Sequence, residues 1–109
     1  RMDENITTEP VDRVDHLFAL HRVLIASENY LADLDPDSSL AVAKARESIY
    51  DVTQICMNGS QKQLRDAHGN FDRAIRLLEK LPKGHDTNLI HTLVPMIEIL
   101  KIEFAEKDS

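Results

Sequence analysis

The feature that most constrains this chain is an apolar residue at every third or fourth position, sustained through four successive segments and broken only by short runs of turn-forming residues. Residues three and four apart share one face of an α-helix, so this period marks a helix with one buried side. The third segment carries it most cleanly, in Leu64, Ala67, Phe71, Ala74, Leu78 and Leu81. Gly69 falls inside that segment and weakens a helix by about 1 kcal/mol relative to alanine. The stripe keeps its phase across the glycine, which predicts one continuous helix.

The first segment runs from Pro10 to Leu34, with Leu17, Leu20, Leu24, Leu31 and Leu34 on one line and Ser27 interrupting it. Pro10 suits a first helical turn, and Glu9 and Asp12 favour the positive end of the helix dipole. Val11, Phe18, Ile25 and Ala32 form a second line, about 100° away, and Val23 and Tyr30 widen the first on its other side. Asp12, Asp15, Arg22, Asn29 and Asp33 remain as the wet face, so this helix is apolar over more than half its circumference.

Asp35-Pro36-Asp37 is a stop and a start, since Asp35 suits a helix cap and Pro36 the first helical position. The second helix then carries Val42, Ala45, Ile49, Val52 and Cys56, with Ala41 and Ala43 small enough for close approach. Asn58-Gly59-Ser60 ends it, and Pro82-Lys83-Gly84 ends the third helix. In the fourth, Leu89, Leu93, Met96, Ile97, Leu100 and Phe104 fall within roughly a quarter turn, and Pro95 lies opposite, where water takes up the carbonyl it cannot serve. Ile90, Val94, Ile99 and Ile102 fall outside that stripe and require a second neighbour.

These boundaries predict an all-α fold, an up-down-up-down four-helix bundle. Its helices run at about 10–34, 36–57, 61–81 and 87–106, the last kinked near Pro95. Residues 1–9 form a flexible N-terminal arm and 10–109 a single domain. The single cysteine forms no internal disulfide, no leader pattern opens the chain, and no apolar run approaches the ~20 residues of a spanning helix. The expectation is a cytoplasmic protein that does not enter membranes.

Few kinds of chemistry fit these residues. Cys56 sits on a buried stripe at a helix C-terminus, where the dipole disfavours a thiolate. No glycine-rich phosphate loop occurs, and no pair of carboxylates suggests a general acid and base. Asp12 and His16, like His68 and Asp72, offer two ligand types per helical face, too few for a metal. His91-Thr92-Leu93 resembles the opening of the motif of histidine-phosphotransfer bundles. Val94 and Pro95 then stand where that family has lysine and glycine, so the cation that would steady a phosphoryl group is missing. The expectation is a protein that is not an enzyme and needs no cofactor.

The net charge is −6, which disfavours nucleic acid. Residues 62–83 depart from it at +3, leaving −9 elsewhere, and Arg65, Arg73, Arg76 and Lys80 make a basic stripe on helix three without interleaved aromatics. The favoured reading is a protein–protein interaction module, a small regulator, adaptor, chaperone or inhibitor. It acts through surplus apolar faces of helices one and four at Phe18, Ile25, Val94, Ile99 and Ile102, against a protein partner or in a homodimer. Two alternatives are a small-ligand or metal-binding bundle in which His21, Glu28 and His91 converge, and nucleic-acid binding through helix three.

Overall fold

The computed structural model describes the backbone of residues 9–58 and 61–108 and the side chains of residues 14–57 and 67–103. Four helices pack against one another: α1 (Glu9–Leu34), α2 (Pro36–Asn58), α3 (Gln61–Glu79) and α4 (Asn88–Asp108). A 3-10 turn, His85–Thr87, leads into α4. No strand occurs among the described residues. The expected N-terminal arm, the Gly59-Ser60 turn and the side chains of Val11, Asp12, Leu64, Arg65 and Phe104 lie outside the described set.

Each joint is built by local chemistry. Asp35 separates α1 from α2, and its carboxylate accepts hydrogen bonds from the Ser38 backbone N–H at 3.3 Å and from the Ser38 hydroxyl at 2.7 Å. It thereby satisfies a donor that the first turn of α2 would otherwise leave unpaired. Those bonds to Ser38 hold the Asp35 carboxyl below its usual range. Between α3 and α4, the buried Thr87 hydroxyl donates to the Pro82 carbonyl, and a His91 ring nitrogen lies 3.1 Å from the Leu81 carbonyl. These groups tie the start of α4 to the end of α3.

The core takes one face from every helix. Leu17, Leu20, Leu24 and Leu31 enter from α1, and Val42, Ala45, Ile49 and Val52 from α2. Phe71, Ala74 and Leu78 come from α3, and Ile90, Leu93, Val94, Ile97 and Leu100 from α4. Burial of each large aliphatic or aromatic side chain contributes about 1.5–3 kcal/mol. Contacts between α1 and α2 run in opposite residue order: Glu28 meets Arg46 at 2.8 Å, whereas His21 meets Tyr50. Between α3 and α4 Asp72 meets Lys101 at 2.6 Å, and Leu81, just past α3, meets His91.

Helix α3 is unbroken across Gly69, and α4 remains helical through Pro95, which is exposed. The face that α4 buries differs from the expected stripe. Leu89 and Met96, expected inside, are exposed, while Ile90 and Val94, expected to need another neighbour, are buried. Both alternatives share Leu93, Ile97 and Leu100, so the 3.6-residue period does not choose between them. In the observed rotation His91 meets the Leu81 carbonyl just past α3, and Lys101 meets Asp72 of α3. Leu34 is exposed too, because it is the last residue of α1 and the chain turns at Asp35 beyond the end of the shared core.

Candidate interaction surface

Helix α1 packs extensively on α2, α2 on α3, and α3 on α4, but α1 touches α4 only lightly. The two outer helices therefore leave a groove of about 240 Å³ between them. Its α1 wall consists of His16, Ala19, Leu20 and Val23, and its α4 wall of Leu93, Met96, Ile99, Leu100 and Glu103. On each helix these positions recur at three- and four-residue spacing, which makes each wall a helical seam beside the core stripe. Leu20, Leu93 and Leu100 belong to the core and form the floor. Met96 and Ile99, at 50% and 56% exposure, are open to solvent.

The small side chain of Ala19 keeps the α1 wall low, and Ala26, about two turns further along, is also exposed. At the end of the groove where α4 begins, the Tyr30 hydroxyl donates to the Asp86 carboxylate at 2.6 Å. That bond, reinforced by the negative charge of Asp86, raises the Tyr30 phenol above its ordinary 10. Tyr30 thus joins the end of α1 to the turn before α4.

The five residues expected on the interaction surface do not form one patch. Ile99 lines the groove. Val94 is 7% exposed and belongs to the core, because α4 turns it toward α3, so it is corrected from a surface residue to a buried one. Phe18 and Ile25 are each 37% exposed and lie outside the groove. At 100° per residue they fall on the opposite side of the Leu17–Leu31 stripe from Ala19 and Val23, toward the flank where His21 meets Tyr50 of α2. Ile102 is 56% exposed but lies beyond the groove wall. The wall residues Ala19, Val23 and Met96 were absent from the expected surface. Their sequence signal was a seam at His16, Ala19, Val23, Ala26 and Tyr30, which ordinary small and polar residues obscure.

The residues expected to converge on a ligand or metal are separated. Glu28 is occupied by Arg46, and His21 stacks obliquely on Tyr50 with ring centroids 5.6 Å apart. His91 serves the end of α3. The His21 Nε2 atom is buried without a hydrogen-bond partner, and burial, followed by the nearby Arg46 charge, holds its imidazole below 6.5. His68 and Asp72 are half-buried, and Asp72 is engaged by Lys101. Among the described residues no group of three or more His, Cys, Asp or Glu is placed to hold a metal ion. Of the basic stripe, Arg73, Arg76 and Lys80 are exposed on α3, and the Arg65 side chain is outside the described set. Among the described residues no helix is long and apolar enough to cross a membrane. Comparison with protein-family models, with curated proteins and with solved structures gives no significant match, so the surface itself carries the functional reading.

Proposed function

We propose that the protein is a non-enzymatic protein–protein interaction module whose contact surface is the groove between α1 and α4 and the exposed apolar side of α4 beside it. One observation supports this reading above the others: Met96 and Ile99 stand exposed in the wall of an apolar trough that the described residues leave open, with Leu89 and Ile102 exposed elsewhere on the same helix. Scattered apolar residues are ordinary on a protein surface, but exposed ones that wall an apolar groove favour another polypeptide as its cover. The trough, at about 240 Å³, is smaller than the ~300–1,000 Å³ typical of pockets for drug-sized ligands, and suits inserted side chains better than a small molecule.

The test separates a role in binding from a role in folding. Met96→Ser and Ile99→Ser together are expected to change stability by only about 0.5 kcal/mol each, as for substitutions at exposed positions. In the cell the unaltered chain is expected to give cross-linked adducts with other protein, and the same pair of substitutions to abolish them. A loss of stability as large as that of a core truncation, with adducts unchanged, overturns the reading.

A further inference from the structure

We infer that the outward face of α3 docks an acidic helix of a partner protein, with Asp or Glu at i, i+3 or i+4, and i+7 set against Arg73, Arg76 and Lys80. None of these three cations lines the α1–α4 groove, so this contact is separate from the one proposed above. At 100° per residue Gly69, Arg73 and Arg76 fall within about 60° of one another, on the side of α3 opposite the buried Ala67, Phe71, Ala74 and Leu78. Lys80 follows one turn after Arg76, just past the end of the helix. All three cations are exposed, and none of them takes part in an ion pair among the described residues. Asp72 is engaged by Lys101 of α4, and Glu79, seven residues on, shares that flank of α3 rather than the outward face. Gly69, exposed on the outward face, carries no side chain to hinder an approach.

The number and spacing of these charges select the partner. From Arg73 to Arg76 to Lys80 the chain rises by about 4.5 Å and then about 6 Å. Carboxylates at i, i+3 and i+7 of a helix laid alongside repeat those rises, and a guanidinium accommodates a carboxylate through two parallel hydrogen bonds. A nucleic-acid duplex instead brings about six charges to the same ~10 Å of length. Three cations would leave half of them unanswered, and the rest of the duplex would face a chain that carries −9 outside residues 62–83. A short acidic helix meets the basic face alone. A second copy does not supply it: among the described residues no helix of this chain carries three exposed carboxylates at that spacing. Exposed ion pairs are individually weak, so the contact is transient and sensitive to salt.

The probe is a fluorescein-labelled 14-residue helical peptide with glutamates at i, i+3 and i+7, titrated with the full chain and read by fluorescence anisotropy at low and high salt. One control replaces the glutamates by lysines, and another keeps them but spreads them around the helix. The net charge of −6 taken alone favours the lysine peptide. The basic face predicts the reverse: the glutamate peptide should bind at least tenfold more tightly, with the gap narrowing as salt is added. Spreading the glutamates should weaken binding at least threefold. Arg73→Glu and Arg76→Glu are each expected to weaken it about fivefold. Lys44→Glu, the same change of charge at an exposed site on α2, should leave it unchanged. No binding of the glutamate peptide, equal binding of either control peptide, or an equal effect of Lys44→Glu overturns the inference. A DNA duplex that binds more tightly than the glutamate peptide, and is released by Arg73→Glu, overturns it in favour of nucleic acid. Each of these failures leaves the groove reading untouched, because that reading is tested at Met96 and Ile99.

Discussion

Asp35 shows how one residue joins two helices. Its carboxylate accepts both the backbone N–H and the hydroxyl of Ser38, and its own backbone N–H donates to the Leu31 carbonyl at 2.8 Å. It therefore finishes α1 and starts α2 with no intervening loop. Because the bonds to Ser38 favour the ionised form, the folded-state pKa lies below the ordinary value of 3.8. A depressed carboxyl stabilises the fold above the unfolded-state pKa, and that contribution disappears as pH falls through the folded-state value. Asp35→Ala is accordingly expected to lower the thermal midpoint by a few degrees at neutral pH. The gap from the wild type should close once the pH drops well below 3.8. Thermal melts monitored by circular dichroism across this range check the sign. A gap that persisted at low pH would mean that the residue acts through packing instead. The cap was legible from Asp35-Pro36-Asp37 because capping is local chemistry. The fates of His21 and Val94 were not, because both depend on which distant helix lies beside them.

Among the elements, α3 and α4 differ in how much their own sequence specifies. The single apolar stripe of α3 admits one orientation, and the buried residues Ala67, Phe71, Ala74 and Leu78 are those the period selects. Gly69 sits inside that helix without a packing reason: it is exposed, and a β-carbon added there meets nothing within 4 Å. Gly69→Ala should therefore stabilise the protein by about 0.5–1 kcal/mol, measured by urea denaturation with an unchanged slope. A destabilised variant would show that the glycine's small size or backbone freedom is used. Helix α4, by contrast, is apolar around most of its circumference, and two rotations of it would bury comparable surface. The observed one hides Ile90 and Val94, exposes Leu89 and Met96, and lets His91 meet the Leu81 carbonyl just past α3.

Across the whole molecule, the helices are unequally supported. Helices α2 and α3 each have two extensively packed neighbours, whereas α1 and α4 each have one and meet only lightly across the groove. Local opening costs less where fewer buried contacts must break. Hydrogen exchange on the isolated chain should find the slowest amides in α2 and α3 around Ile49, Val52, Phe71 and Ala74, and faster exchange in α1 and α4. Uniform protection across all four would contradict this hierarchy. When an occupant fills the groove, protection should rise selectively along Ala19–Val23 and Leu93–Leu100, because it supplies the neighbour that both outer helices lack.

The sequence by itself determined that the chain is helical, where its four helices lie to within a few residues, and how Asp35-Pro36 turns one into the next. These follow from periodicity and capping, which act over one or two turns of backbone. The tertiary structure alone decided which of several apolar lines each outer helix buries, and that Phe18 and Ile25 stand apart from the trough. It also decided that α1 and α4 separate enough to leave that trough open. Those outcomes depend on helix rotation and spacing, which are set by side chains far apart in the chain. An apolar line reads the same in a sequence whether it meets a neighbouring helix or open solvent.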